Sequence, residues 1–307
     1  MNIFKGKNNN EPFYKSVYEQ ALTRLEAGEP VENIYDDRGV NISTLIRLLA
    51  GERSYGNTLD LGCGLGQVAV SLSAKSEIVV AADISKNALK VVAKVAKRKN
   101  KSNIHPVLLD ATHLPFRDGV FDLIVCSGVL EWVPTSHDSR CPPERLQLNM
   151  LREISRALSR LGLFWLGIEN RYGYGYLLGT IDHHSGLRFV TLLPRFIANC
   201  YSKLIKKKPY RNYLYNYWEL RKMLQKAGLA INRFLTAFPY YSNPKVVADV
   251  SNPSELTKAV MLPKLELSYA SRVIIKAISI MRLAKLLIPS FIVLCTKSRA
   301  SQSRSCN

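Results

Sequence analysis

The sequence predicts an α/β protein with a doubly wound, mostly parallel sheet, and three observations support this. Apolar strand-like runs alternate with amphipathic helix-like stretches between residues 57 and 168. The runs are continuously apolar, which is typical of strands that are covered on both faces. Parallel strands joined by right-handed crossovers restrict the topology to a Rossmann-like sheet. We expect seven strands, with an insertion after the fifth.

The elements follow from apolar periodicity and from Gly, Pro and capping residues. In the first half, strands are predicted at 57–61, 77–82, 104–109, 120–126 and 162–168, and helices at 13–27, 41–50, 66–74, 86–99 and 144–160. Asn41 or Ser43 is the expected cap of the second helix. In the second half we predict a helix at 217–227, a strand at 229–238, a proline-rich loop at 239–264, an amphipathic helix at 267–287 and a last strand at 290–297.

These elements divide the chain into five parts. Residues 1–56 form an N-terminal helical segment, and 57–170 form a ligand-binding Rossmann-like core. Residues 171–216, rich in Tyr, Gly and basic residues, form an insertion or lid. Residues 217–298 complete the sheet and carry a basic helix, and 299–307 form a flexible tail.

The positive charge is concentrated in the second half of the chain. The net charge is +19; residues 1–170 hold 21 Lys and Arg against 19 Asp and Glu, whereas residues 171–307 hold 22 against 5. A basic half attracts anionic partners such as nucleic acid, phosphorylated or carboxylated small molecules, or an anionic membrane surface. A solvated basic face that keeps the protein soluble is the alternative.

The cellular location follows from what the sequence lacks. The first 15 residues are polar and have no apolar core of a secretory signal, and no uncharged apolar run reaches the ~18–20 residues of a spanning helix. The six cysteines form no C-x-x-C pair, which indicates a reduced compartment. We therefore expect a cytoplasmic protein, and peripheral membrane contact stays open.

A glycine-rich turn follows the first predicted strand in the segment TLDLGCGLG, residues 58–66. Glycines let a backbone approach a ligand closely, and the next helix offers unpaired N–H groups to an anionic group. Gly62, Gly64 and Gly66 carry this pattern. A glycine cluster alone is weak evidence, because dinucleotide enzymes use a similar turn.

Acids and small residues end the next three strands and strengthen this interpretation. Asp83 ends the second strand and can accept hydrogen bonds from ribose hydroxyls. Asp110 ends the third strand, and Ser127 lies at the end of the fourth. In an open parallel sheet, ligands bind outside the carboxyl ends of the strands. The sequence therefore predicts one cleft lined by these residues.

These motifs together resemble the class I S-adenosylmethionine (SAM)-dependent methyltransferases, especially the small-molecule type 11 group. The resemblance rests on DLGCGLG, DIS, LDATHLPF and FDLIVCSGVLEWV and spans roughly residues 57–170. It implies a seven-stranded Rossmann-like fold, SAM as cofactor and methyl transfer as the activity.

The resemblance also assigns roles by position. Gly62, Gly64 and Gly66 would line the methionine part of SAM, and Asp60 would order that turn or approach the amino group. Asp83 would bind the ribose diol with Ile84 against adenine, and Asp110 would accept from the adenine amino group beside Ala111. The Ser127 backbone would lie near the methionine amino group. Asp110 has an alternative role as the cap of the next helix.

The candidates for catalysis lie beyond the cofactor motifs. Methyl transfer depends mainly on in-line placement, and a hydroxyl acceptor also gains from a general base. Candidate bases are Glu131 and the pair His183 and His184 in the insertion, although adjacent histidines are often structural. We find no set of four residues at metal-ligand spacing and predict no metal site.

The expected acceptor is a small molecule or glycan that is sugar-like or anionic, including a lipid-linked glycan, because the insertion is polar, aromatic and basic. The basic half keeps an RNA or protein methyltransferase as an alternative, but no RNA-binding module or N-P-P-Y-type motif is present, which disfavours nucleic acid. A non-catalytic SAM-binding or nucleic-acid-binding protein is a further alternative. A nucleotide-dependent oxidoreductase is disfavoured because its fingerprint is G-x-G-x-x-G, whereas the spacing here is G-x-G-x-G.

Overall fold

A computed structural model of the chain describes residues 13–137, 140–263 and 265–298. Eight strands form one sheet in the order β3-β2-β1-β4-β5-β10-β8-β9, and β6 and β7 form a separate hairpin. The predicted tail at 299–307 and the polar start of the chain lie outside the described residues. The strands are β1 Tyr55–Leu61, β2 Ser76–Asp83, β3 Ile104–Leu108, β4 Phe121–Ser127, β5 Leu158–Glu169, β6 Ile181–Asp182, β7 Leu187–Arg188, β8 Leu229–Tyr240, β9 Asn243–Asp249 and β10 Ser290–Lys297.

Helices cover both faces of the sheet, as the doubly wound prediction requires. The helices are α1 Phe13–Glu26, α2 Arg38–Ala50, α3 Gln67–Leu72, α4 Lys86–Arg98, α5 Pro143–Ala157, α6 Tyr174–Leu177, α7 Arg195–Lys206, α8 Tyr217–Lys226, α9 Pro253–Val260, α10 Tyr269–Ile280 and α11 Ala284–Leu287. Alternate residues of β4 enter different cores: Leu123 and Val125 pack with α2 and α3, and Ile124 and Cys126 pack with α5 and α8. This period of two is expected for a strand that is buried on both sides.

The α/β fold is confirmed, but the predicted number of seven strands is wrong. Strands β1 to β5 are parallel, and β10, β8 and β9 extend the sheet by antiparallel pairing. The extra strand β9 and helix α9 occupy the predicted loop at 239–264. The prolines in this stretch favoured a loop. However, β9 is an edge strand, where Pro244 is tolerated. Pro253 lies in the first turn of α9, directly after the cap Asn252, where a proline is also tolerated.

Three other element boundaries differ from the sequence prediction. Helix α2 begins at Arg38, before the expected cap, and Gly39 in its first turn packs against α3 so closely that a Cβ would lie 2.0 Å from the Gln67 carbonyl oxygen. Helix α5 ends at Ala157, since Leu158 already pairs with Phe121 in the sheet. The predicted helix at 267–287 is divided into α10 and α11 around Arg282, whose φ is +57°.

The insertion after β5 is ordered rather than irregular. It contains α6, the β6–β7 hairpin and α7, and a small core of Leu187, Val190, Ala198 and Tyr210 joins the hairpin to α7. The insertion therefore forms a compact layer at the carboxyl edge of the sheet, where β5 ends.

No helix in the described ranges combines the length and the apolar character that crossing a bilayer requires.

Candidate functional site

The glycine turn after β1 lies at the carboxyl edge of the sheet, and its three glycines have positive φ angles. Gly62 has φ +73°, and a Cβ there would lie 2.3 Å from a Val129 methyl group. Gly64 has φ +53°, and the Tyr18 hydroxyl would be the nearest atom to a Cβ there, at 3.5 Å. A side chain would clash at Gly62 and would narrow the cleft at Gly64, so both positions favour glycine. Gly66, also at positive φ, precedes α3.

Asp60 joins this turn to the helix that follows. Its carboxylate accepts a hydrogen bond from the Ala69 N–H at 2.9 Å, and its side chain is buried. Burial raises the pKa of Asp60 to about 7, although the positive charge of Arg38 and the Ala69 N–H oppose this shift. Asp60 therefore joins the end of β1 to α3 and is buried below the surface, and its two predicted roles stay predictions.

Asp83 lies beside the glycine turn, as the strand-end pattern predicted. One carboxylate oxygen accepts the Gly64 N–H at 3.0 Å, and the other accepts the Ser85 N–H at 2.8 Å. Burial raises the pKa of Asp83, against the effect of these backbone hydrogen bonds. Each oxygen can accept a further hydrogen bond. Ile84 next to it is 58% exposed, so an apolar surface flanks the carboxylate.

Asp110 has the predicted edge position, but residues 111–113 form a turn and not a helix, so its alternative role as a helix cap is wrong. One carboxylate oxygen accepts the Thr112 N–H at 2.8 Å, and the other lies 2.9 Å from Nε2 of His137. Burial acts to raise the pKa of Asp110, but the Thr112 hydrogen bonds and His137 outweigh it and lower the pKa. Ala111 beside it is half-buried. The adenine role of Asp110 stays a prediction, and the pairing with His137 was not foreseen.

Arg38 is a site residue that the sequence analysis missed. From the first turn of α2, its Nη2 donates to the Ser127 carbonyl oxygen at 2.9 Å, and its charge acts on Asp60. Its buried Nε has no hydrogen-bond partner among the described residues. A buried donor without a partner is costly, so this guanidinium is suited to an anionic ligand group. Arg38 and Ser127 are 89 residues apart in the sequence, so no local motif indicated that they contact each other.

These residues fit an adenosyl cofactor that carries a carboxylate. The glycine turn has a backbone that only glycine adopts readily, the oxygens of Asp83 can accept hydrogen bonds from a diol, and the buried Nε of Arg38 lacks a partner among the described residues. The N-terminal helical segment adds a cover, since the Tyr35 hydroxyl donates to the Leu65 carbonyl oxygen at 2.6 Å.

A second group of polar side chains lies beneath the insertion. His184 is 4% exposed and lies between two carboxylates: Nδ1 is 2.7 Å from Asp182 Oδ1, and Nε2 is 3.6 Å from Glu131 Oε1. The Trp132 ring lies 4.9 Å from the His184 ring, centroid to centroid. Glu131 is fully buried, and its Oε2 has no partner in the described part of the chain. The structure therefore brings two predicted catalytic candidates together.

The third candidate, His183, lies at the rim of the same group. Its side chain is 71% exposed, and its Nε2 lies 3.2 Å from Glu169 Oε1 at the end of β5. The Tyr176 hydroxyl donates to the other Glu169 oxygen. Glu169, Asp182 and His184 each offer a ligand atom within 4.8 Å of the others, so this group could hold a metal ion. The sequence spacing did not reveal this possible metal site. Glu169 lies at the end of β5, whereas Asp182 and His184 lie in the β6–β7 hairpin, so the three residues form no local motif.

The electrostatics of this group favour a charged histidine. Burial acts to lower the pKa of His184, but the hydrogen bond with Asp182 and the negative charges of Glu131 and Glu169 raise it well above its usual value. Burial acts to raise the pKa of Asp182, and the contacts with His184 and Ser185 lower it overall. We infer that His184 is an imidazolium between carboxylates at neutral pH. Glu131, Glu169 and Asp182 surround the imidazole of His184, and we call these four side chains the acidic pocket.

Tyr241 connects this acidic pocket to the cofactor cleft. Its hydroxyl donates to Glu131 Oε1 at 3.3 Å and would lie 3.0 Å from a Cβ at Gly128, directly after Ser127. Tyr241 lies in the turn between β8 and β9, within the stretch interpreted as a loop, so sequence reasoning did not select it. The two groups therefore share one wall, formed by the segment after β4.

The comparisons with known proteins agree with this architecture. A family model described as a methyltransferase domain matches residues 59–166. The ubiquinone biosynthesis O-methyltransferase of Thiobacillus denitrificans is 27% identical over 198 residues, which cover 64% of this chain and 72% of that protein. The mitochondrial arginine-hydroxylase NDUFAF5 of Homo sapiens is 31% identical over 137 residues, 41% of this chain, and the match spans only 37% of that relative's length.

A solved structure supports the fold. A SAM-dependent methyltransferase from Clostridium acetobutylicum superposes with a TM-score of 0.54 at 14% identity, over 92% of this chain and 99% of that one. The two proteins therefore share the same overall fold.

Proposed function

We propose that this chain, which belongs to the class I SAM-dependent methyltransferases, transfers the methyl group to a hydroxyl of a small-molecule acceptor held under the insertion. One observation carries the proposal: the buried Glu131 Oε2 has no partner among the described residues, although its other oxygen is held by Tyr241. A buried carboxylate oxygen without a donor is costly, and an acceptor hydroxyl would supply one.

The cofactor residues have separate proposed roles. Asp83 accepts from the ribose hydroxyls, and Arg38 pairs with the methionine carboxylate. Gly62, Gly64 and Gly66 allow the backbone to approach the methionine portion, while Ser127 offers a carbonyl oxygen at the same edge. When SAM is bound, its sulfonium supplies the methyl group.

Glu131 acts as the general base in this proposal. As the acceptor oxygen forms its bond to the methyl carbon and the carbon–sulfur bond breaks, the hydroxyl proton passes to Glu131 Oε2. The products are a methyl ether and S-adenosylhomocysteine. His184 is a positioning residue: its imidazolium lies 3.6 Å from Glu131 and balances its charge, and Asp182 holds the ring at 2.7 Å. His183, at the exposed rim, could contact the acceptor.

The lining of the pocket favours a neutral acceptor. Glu131, Glu169 and Asp182 repel a phosphate or carboxylate, so the anionic acceptor expected from the basic half of the chain finds no support here. A sugar or phenol hydroxyl fits better, and a lipid-linked glycan stays within this class. The name of the Thiobacillus denitrificans relative, an O-methyltransferase, supports transfer to oxygen.

The same carboxylates favour one second candidate, methyl transfer to an amine. A cationic amine would pair with the three acids, but it must lose a proton before it can attack the methyl group. Glu131 could accept that proton as well. The nature of the methylated atom therefore separates the two candidates.

A labelled-methyl experiment tests the proposal. Purified protein is incubated with fractionated cell extract and SAM labelled with ¹³C in the methyl group, and the carbon chemical shift of the product distinguishes methyl ethers from methylamines. We expect an ether in the small-molecule or lipid fraction, and glycosidase sensitivity would identify a glycan. A methylamine would favour the second candidate, and label found only in RNA or protein would contradict both.

A further inference from the structure

The outer side of the insertion exposes many apolar side chains. Of 22 exposed large hydrophobic residues in the described ranges, eight lie within residues 177–205. They are Leu177, Leu178, Ile181, Phe189, Phe196, Ile197, Leu204 and Ile205. We call these eight residues, with the lysines beside them at 203, 206, 207 and 208, the insertion surface. Such a concentration of exposed apolar area is typical of an interaction site rather than of an ordinary surface.

Helix α7 shows that this exposure is arranged by the fold. Phe196 and Leu204 are 72% and 69% exposed, and their spacing of eight residues places them on one stripe of the helix. Ala198 and Ser202 are buried on the opposite side. The helix therefore packs through one face and presents a second apolar stripe outward.

The hairpin and α7 form one packed unit that carries the surface. A Cβ at Gly179 would lie 3.2 Å from the Phe189 ring, and one at Gly186 would lie 3.2 Å from the Lys206 Nζ. The shared core of Leu187, Val190, Ala198 and Tyr210 holds the elements together. The exposed residues of the two elements therefore keep a defined arrangement.

The charge of this unit is strongly positive. Residues 171–216 contain eight Lys and Arg and a single acid, Asp182 in β6, which is buried. Lys203, Lys206, Lys207 and Lys208 are all exposed around the end of α7. This combination matches an anionic bilayer surface. The apolar side chains suit the boundary of the acyl chains, and the lysines suit the acidic headgroups.

We propose that the insertion surface docks on an anionic lipid bilayer. Phe196, Leu204, Phe189 and Leu178 enter the boundary between headgroups and acyl chains, and the lysines bind the acidic headgroups. A second copy of the chain fits less well, because two such surfaces would bring their lysines together. Single-stranded nucleic acid is usually bound by stacked aromatic rings, whereas six of the eight exposed residues are aliphatic.

Docking would bring the bilayer next to the acidic pocket. Ile181 is exposed on the hairpin, and its neighbours Asp182 and His184 point into the pocket. Together with the proposed function, on which this step rests, the arrangement implies that the methyl acceptor is an amphiphile dissolved in the membrane. Docking itself does not depend on the identity of the acceptor.

Sedimentation of the full chain with lipid vesicles tests the proposal without any methyl transfer. We expect binding to vesicles of phosphatidylcholine mixed with phosphatidylglycerol, weaker binding at high salt, and little binding to phosphatidylcholine alone. Failure to bind the anionic vesicles would overturn the proposal.

Two variants test whether the insertion surface carries the binding. Phe196→Ser with Leu204→Ser should lower the vesicle partition coefficient by about tenfold or more, as should Lys206→Gln, Lys207→Gln and Lys208→Gln together. The matched control is Leu48→Ser with Leu161→Ser, which removes side chains that are 70% and 82% exposed elsewhere. Equal loss in the control, or no loss in the insertion variants, would overturn the assignment.

Further measurements distinguish lipid from a second copy of the chain and from RNA as the partner of the insertion surface. They also separate the docking proposal from the proposed methyl transfer. Two results would overturn docking on lipid. The first is a dimer that forms without vesicles and is abolished in the Phe196→Ser/Leu204→Ser variant. The second is salt-sensitive binding of the wild type to RNA in place of binding to lipid. Unchanged SAM affinity in both insertion variants would show that they are folded. Vesicle binding without any ether product would contradict the proposed function alone.

Discussion

The backbone N–H of Gly64 donates a hydrogen bond to the carboxylate of Asp83 at 3.0 Å. This bond joins the turn after β1 to the end of β2, 19 residues later, and so fixes the two most specific cofactor motifs relative to each other. The same carboxylate is the proposed ribose acceptor. In the proposed function, one side chain therefore both holds the glycine turn and binds the ribose.

Replacing Asp83 should weaken SAM binding. Asp83→Ala removes the ribose acceptor and the partner of Gly64, and we expect a loss of about 1–3 kcal/mol in binding free energy. Equilibrium dialysis with labelled SAM measures the change. Asp118→Ala is the control, because Asp118 is exposed and pairs with Arg156 at the other end of β4. Equal affinities for wild type and Asp83→Ala would refute the assigned role.

Arg38→Gln tests the residue that sequence reasoning missed. The substitution retains hydrogen-bonding capacity but removes the charge, so binding of SAM should weaken by about 1.5–3 kcal/mol if the guanidinium pairs with the methionine carboxylate. Binding of adenosine, which lacks that carboxylate, should change much less. An equal loss for both ligands would indicate that Arg38 merely supports the fold.

The pH dependence of stability tests the buried carboxyl of Asp60. Its pKa rises from 3.8 to about 7 on folding because it is buried. Between these values the unfolded chain binds fewer protons than the native one, so the free energy of unfolding falls as pH rises, by up to about 1.4 kcal/mol per pH unit. The neutral Asp60→Asn variant lacks this contribution.

Urea unfolding of both proteins between pH 4 and pH 7 measures the effect. We expect the wild type to lose stability relative to Asp60→Asn as pH rises through this window, with parallel curves above it. Asn can still accept from the Ala69 N–H, so the fold is retained. A constant difference between the two curves would contradict the raised pKa.

Replacing the proposed base should abolish turnover and leave cofactor binding intact. Glu131→Gln keeps the size of the side chain but removes the proton acceptor, and we expect kcat to fall by about 10²–10⁴-fold. His184→Gln should give a smaller loss, since His184 acts through Glu131. Methyl transfer to the identified acceptor and SAM dialysis are the two measurements.

His105→Gln is the control for the histidine substitution, because His105 lies exposed at the start of β3, away from the cofactor edge of the sheet. Wild-type turnover in Glu131→Gln would eliminate that residue as the base. A parallel loss of SAM affinity would instead place Glu131 in the cofactor site.

Metal removal tests the group formed by Glu169, Asp182 and His184. Their ligand atoms already have protein partners: Asp182 holds His184 at 2.7 Å, and Glu169 contacts His183 and Tyr176. Because this network is complete without an ion, we expect dialysis against a chelator to leave the rate of methyl transfer unchanged. A loss of rate that Mn²⁺ or Zn²⁺ restores would show that an ion belongs to the site.

The central strands could be predicted because β4, and the second half of β5, are nearly continuous apolar runs. Residues 123–126 of β4 are all buried, because helices cover both faces of the sheet. A strand in this position therefore needs apolar residues on both faces, and that pattern is visible in the sequence. The edge could not be predicted in the same way. Strand β9 lies at the edge, where Pro244 costs little, and its burial pattern is mixed, so its composition resembles a loop.

The site was predictable wherever the pattern was local. Gly62, Gly64, Asp83, Asp110 and Ser127 follow strand ends, and the topology brings those ends together. Arg38, Asp182 and Tyr241 reach the site from a preceding helix, a hairpin and a distant turn. No spacing in the sequence encodes these approaches, since they depend on how α2, the insertion and the β8–β9 turn pack against the core.

Calorimetric titration of the purified chain with SAM tests the central claim most directly. The account predicts one molecule of SAM bound per chain, displaced by S-adenosylhomocysteine and unaffected by NAD. A folded sample that releases no heat with SAM, or that binds NAD with the same stoichiometry instead, would contradict it.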